Sequence, residues 1–106
     1  MNSMFTSNPS LSLLDVSNFD TSKVTTMANM FHSLSSLTLL DLSNFDTNNV
    51  TEMIYMFEGI SKLEEIIIGC NWKNAQNITN MFNFSKYTLE QFNSLIEQTQ
   101  DSCTTN

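Results

Sequence analysis

The 106-residue sequence has no arginine, and its four lysines face eleven Asp and Glu, a formal net charge of −7. Such a chain repels a polyanionic backbone, which excludes nucleic acid as a first partner. Long apolar runs are missing too: nothing approaches the roughly 18 residues that cross a bilayer, so no membrane insertion by this segment is expected. Met1-Asn2-Ser3-Met4-Phe5 has neither a basic start nor a continuous apolar stretch, and no signal peptide is read in this chain. The two cysteines, Cys70 and Cys103, lack metal-type spacing. They read as unlinked thiols, with one disulfide as the alternative for a chain outside a cell, and neither metal nor cofactor is expected. Only two glycines and one proline are present, whereas Ser, Thr and Asn make up 40 of the 106 residues. The turns must therefore be built from side-chain hydrogen bonds.

What the sequence does have is a repeat. Residues 13–38 lie over residues 39–64 with 15 of 26 positions identical, including Asp15/Asp41, Asn18/Asn44, Phe19/Phe45, Met27/Met53 and Phe31/Phe57. A period of this size marks a repeat architecture. Upstream, Met1, Met4, Phe5, Leu11 and Leu13 match Met27, Met30, Phe31, Leu37 and Leu39, so residues 1–12 read as a partial repeat. Downstream, residues 65–87 read as a diverged copy, with Asn71-Trp72 in place of Asn44-Phe45 and the run from Asn77 to Met81 laid over Asn49 to Met53.

Within a unit, Leu40 and Leu42 share one face of an extended segment and Asp41 takes the other, which predicts short parallel strands over 13–16, 39–42 and 66–68. Val50, Met53, Met56, Phe57 and Ile60 fall near the 3.6 period, as do Val24, Met27, Met30, Phe31 and Leu34, which predicts a short amphipathic helix after each strand. Asp20-Thr21-Ser22 and Asp46-Thr47-Asn48 precede these helices as capping groups, with Asn48 as a candidate cap. Thr88-Leu89-Glu90-Gln91 is a capping-box pattern opening a C-terminal capping helix that frays beyond about Gln100, so residues 88–106 form a cap and tail. The predicted fold is α/β: a solenoid with short parallel strands on one face and short helices on the other.

The runs Leu14 to Met27 and Leu40 to Met53 resemble the BspA-like class of leucine-rich repeat, a family of bacterial surface proteins with repeats close to LDLSNFDTSNVTDMxxMF. The resemblance covers about residues 1–85. It implies a leucine-rich-repeat solenoid, a cell-surface or extracellular location and a non-enzymatic, adhesin-like role; similar arrays occur in phage-associated proteins. The ladder asparagine of the general leucine-rich repeat stands three residues after the last strand leucine, a spacing that Asn71 keeps after Ile68, whereas Asn44 follows Leu42 by two.

The outward strand positions Asp15 and Asp41, with Ser17 and Ser43, form the candidate partner-binding face. The methionine stripe, at helical spacing beside Val and Phe, reads as core rather than as an adaptable groove. His32 aligns with Glu58 and reads as a surface residue, leaving a Ser or Cys nucleophile without a base. Three glycosylation-type triplets begin at Asn49, Asn77 and Asn83 and read as by-products of helix-start chemistry. The expected function is protein interaction through the strand face or an open end. A structural spacer or terminal cap of a longer surface or phage-associated protein is the alternative, and an enzyme a distant third. The partner is a protein or other macromolecule, and self-association through the N-terminal end is expected, since Met1, Met4, Phe5, Leu11 and Leu13 would leave apolar surface beside an uncovered strand edge.

Overall fold

Leu39–Leu42 (β1) and Glu65–Ile68 (β2) alternate outward and buried residues, and in the computed structural model, which describes residues 14–73 and 77–104, they pair in parallel. Leu40 stands beside Ile66 and Leu42 beside Ile68, all four turned into the core. The only α-helix among the described residues is α1, Leu89–Thr104. The expected leucine-rich-repeat solenoid of strand-helix units is therefore corrected: a two-stranded sheet and one C-terminal helix take its place, and no helix forms over 24–34 or 50–60.

Backbone geometry explains the missing helices. Asn29, Ser33, Tyr55, Gly59, Asn80 and Phe84 all have φ between 52° and 76°, the left-handed region, so the i→i−4 ladder of a helix is broken every few residues. Amides that a helix would use internally point sideways instead. Those of Met27, Asn29, Phe31 and Ser33 donate to the carbonyls of Glu52, Ile54, Met56 and Glu58. Those of Met53, Tyr55, Phe57 and Gly59 donate to Asn77, Thr79, Met81 and Asn83. Successive copies are thus runs of turns laid side by side and tied by main-chain bonds, with parallel bridges at Thr26, Glu52 and Asn77.

This ladder also corrects the alignment of the third copy. Glu52 stands against Asn77, so Met56 and Phe57 correspond to Met81 and Phe82, and Met53 does not correspond to Met81. The predicted strand over 13–16 is likewise absent from 14–16. There Val16 turns inward and Asp15 outward, but the Val16 carbonyl accepts from the Phe19 amide of its own turn and from the Asn44 side chain rather than from a paired strand. Leu13, the partial repeat 1–12 and the N-terminal end expected to self-associate lie outside the described residues.

The core follows the repeat. Phe31, Phe57 and Phe82 stack face to face with centroids 5.8 and 4.9 Å apart, and Phe45 stacks on Trp72 at 6.4 Å. Phe92 of α1 closes both rows, 5.2 Å from Phe82 and edge-on to Trp72 at 5.5 Å. Gly69 is required where β2 ends, because a Cβ there would collide with the Ser43 carbonyl oxygen.

The expected capping box is present in α1. Thr88 Oγ1 accepts from the Gln91 amide at 3.2 Å, and Gln91 Oε1 accepts from the Thr88 amide at 2.9 Å. The helix does not fray at Gln100, for two reasons. Gln100 Nε2 donates to the carbonyls of Cys70 and Trp72, and Cys103 is disulfide-bonded to Cys70 with the Cα atoms 5.8 Å apart. The expectation of two unlinked thiols is corrected by that bond.

The capping assignments change as well. Asn48 is exposed, and it is Asp46 Oδ1 that accepts from the Asn48 amide. Thr47 is buried, and its hydroxyl accepts from the Lys73 amide at 2.6 Å and donates to the Lys73 carbonyl at 2.9 Å. Thr21 does the same one copy earlier with the amide and carbonyl of Asp46. Thr47→Val is accordingly expected to cost about 1–3 kcal/mol by stranding both main-chain groups of Lys73. Asn48→Ala should stay within about 0.5 kcal/mol. Thermal melts of the two variants check the order.

Candidate functional site

The outward residues of β1 and β2 form a small checkerboard. Register sets Leu39 beside Glu65 and Asp41 beside Ile67, so aliphatic and carboxylate side chains alternate in both directions. Leu39 is 42% exposed and Ile67 37%, so both aliphatics meet solvent on the same face as the two carboxylates. None of these four outward residues is basic.

Asp15, Ser17, Asp41 and Ser43, the residues expected to meet a partner, continue this face as two exposed turns. Asp15 Oδ1 accepts from the Ser17 amide at 2.9 Å and Asp41 Oδ1 from the Ser43 amide at 3.0 Å, so each aspartate first shapes its own turn. The hydroxyl and then the amide of Ser17 hold the Asp15 carboxyl below the usual carboxylate range. Both side chains remain in solvent with their charge outward.

Asn44 joins the two turns. Its Nδ2 lies 2.9–3.2 Å from the carbonyls of Val16, Ser17 and Phe19, a clamp between copies despite its two-residue spacing from Leu42. Asn71, with the three-residue spacing, offers its backbone carbonyl to the Thr47 amide.

His32 is not the solvated residue expected from the sequence. It is half-buried, with Ser33 Oγ 2.7 Å from Nδ1 and Glu58 Oε1 2.7 Å from Nε2, while Asn83 Nδ2 donates to the other Glu58 oxygen at 3.2 Å. The order serine, histidine, carboxylate is that of a nucleophilic site, but Ser33 Oγ is packed in the joint against Gly59. The row acts as a clasp across three copies. Its sequence signal was the column His32, Glu58, Asn83, hidden by the misaligned third copy.

The glycosylation-type asparagines are also spent on structure rather than on helix starts. Asn49 Nδ2 donates to the Ser22 carbonyl at 2.7 Å, and Asn77 Oδ1 accepts from the amide and hydroxyl of Thr79. Among the described residues no group of three or more His, Cys, Asp or Glu is placed to hold a metal ion, and no helix is long and apolar enough to cross a membrane. Beside α1, burial and then the Glu65 carboxylate push the Tyr87 hydroxyl up from its ordinary pKa, which keeps it neutral.

A family model described as "Mycoplasma protein of unknown function, DUF285" matches residues 1–102. No curated protein and no solved structure matches the chain.

Proposed function

The chain belongs to the DUF285 family, described as Mycoplasma protein of unknown function, and we propose that it is a non-enzymatic, adhesin-like protein-interaction module of a bacterial surface protein. The observation that carries this reading is the checkerboard of Leu39, Asp41, Glu65 and Ile67 on two hydrogen-bonded strands, extended by Asp15. Exposed aliphatics on a fixed frame give a binding patch its core, and surrounding carboxylates select a partner with basic groups. The partner is thus a protein surface presenting apolar side chains among lysines or arginines.

Location rests on two supports. The Cys70–Cys103 disulfide suits an oxidising compartment outside the cytosol, and the repeat resembles those of BspA-like surface proteins. A second reading, a terminal cap for a longer surface protein, is favoured by α1, which closes both aromatic rows at one end.

Binding of the fluorescently labelled chain to intact cells tests the proposal. Saturable binding is expected, reduced at least tenfold by Leu39→Lys/Ile67→Lys and by Asp15→Asn/Asp41→Asn; the second pair keeps the turn acceptors and removes only charge. Saturable binding unaffected by either pair, with melting temperatures unchanged, would contradict it, and an absence of binding would leave the capping reading in its place.

A further inference from the structure

The sideways amide ladder has a last row to which no described residue offers an acceptor. Structurally, Met27, Asn29, Phe31 and Ser33 correspond to Met53, Tyr55, Phe57 and Gly59, and these to Ile78, Asn80, Phe82 and Phe84. The left-handed positions recur in step, with φ of 60°, 56° and 52° at Asn29, Tyr55 and Asn80, and 64°, 76° and 60° at Ser33, Gly59 and Phe84. The first two rows of amides each donate to the next copy. The amides of Ile78, Asn80, Phe82 and Phe84 make no hydrogen bond among the described residues.

A further complete copy does not fit there. In the inner joints each phenylalanine carries the next, but Phe82 is already covered by Phe92 at 5.2 Å and Tyr87 at 5.5 Å. What stays open is the main-chain edge and, beside it, a groove of about 330 Å³ lined by Ile78, Met81, Phe82 and Leu89 among others. Phe84 projects next to it, 80% exposed at a left-handed φ that bulky residues rarely adopt.

We infer that the edge from Ile78 to Phe84 is a docking site for an extended segment of a partner polypeptide, added alongside the last copy by main-chain hydrogen bonds. The row offers donors alone, so its occupant must present carbonyls at alternating residues, as the neighbouring copy does in the two inner joints. Space above Ile78 and Met81 takes an apolar side chain of that segment, in the place Met53 and Met56 occupy over the first copy. The site uses none of the outward residues of β1 and β2, so its failure would leave the proposed strand-face function standing.

The test uses the intact, isotope-labelled chain and a capped synthetic peptide of residues 51–56, which carries the carbonyls of Glu52, Ile54 and Met56 that accept from Met27, Asn29 and Phe31. On titration the amide resonances of Ile78, Asn80 and Phe82, which correspond to Met27, Asn29 and Phe31, are expected to move downfield saturably, and their hydrogen exchange to slow at least tenfold. Leu89→Lys, which puts a charge in the groove wall, should weaken peptide binding at least fivefold. Phe84→Ala, a truncation in solvent that leaves the fold intact, should weaken it at least threefold. Amides that stay unmoved at millimolar peptide, or shifts that survive both substitutions unchanged, would overturn the inference.

Discussion

Met56→Asp is expected to leave the chain without a cooperative unfolding transition. Met56 is fully buried in a core cluster built of aliphatic, methionine and aromatic side chains from all the copies. Its own main chain is committed on both sides, the amide to Met53 and the carbonyl to the Phe31 amide, so the residue cannot swing out without opening a joint between copies. The four lysines of the sequence, at 23, 62, 73 and 86, all lie exposed, and none is at hand to pair with a new carboxylate. Burying an unpaired ion costs several kcal/mol, comparable with the 5–15 kcal/mol total of a typical domain. Met56→Leu keeps volume and polarity and should cost less than about 1.5 kcal/mol. Circular dichroism melts of the pair separate loss of methionine from introduction of charge; a Met56→Asp variant melting like wild type would show that the side chain does not sit in the core.

Loss of the Cys70–Cys103 bond is the second large effect. The bond closes a loop with a sequence separation of 33 and ties the end of α1 to the turn after β2. Closing a loop of this length is worth about 3–4 kcal/mol in the chain-entropy account. For a chain of this size that corresponds to a fall in Tm of roughly 15 °C. Reductant and the Cys70→Ser/Cys103→Ser variant should produce the same fall. Fluorescence of Trp72, which is fully buried against Phe92 and the only tryptophan, should report α1 leaving the core at lower temperature in both. Equal melting temperatures with and without reductant would mean that Phe92 and the Gln100 bonds hold α1 unaided.

Both effects depend on features of unequal legibility in the sequence. The alternation in Leu39–Leu42 is a period-two signal with one physical meaning, and it marked β1, its buried leucines and its outward Asp41. The Thr88 and Gln91 pair likewise marked the start of α1. The spacing of Val50, Met53, Met56, Phe57 and Ile60 was ambiguous, because consecutive turns with left-handed residues also bring every third or fourth side chain to one face. What decides between helix and turns is where the amides go, and that depends on a neighbouring copy rather than on local propensity. Asn29, Gly59 and Asn80 are types that enter the left-handed region readily, a signal masked by Ser33, Tyr55 and Phe84 at the equivalent positions.

The disulfide could not be read from spacing, since only the return of α1 over the last copy brings residues 70 and 103 together. For the candidate site, the exposure of Asp15 and Asp41 followed from strand alternation. Their role as turn acceptors, the reach of Asn44 across copies and the burial of His32 against Glu58 depend on a stacking register that no single repeat contains.

The sideways ladder, in which turns take the place of helices, is addressed directly by nuclear magnetic resonance couplings measured through hydrogen bonds. Couplings are predicted from the Phe31 amide to the Met56 carbonyl and from the Phe57 amide to the Met81 carbonyl, each linking one copy to the next. Couplings from the Phe57 amide to the Met53 carbonyl, the i→i−4 bond of a helix, would contradict it.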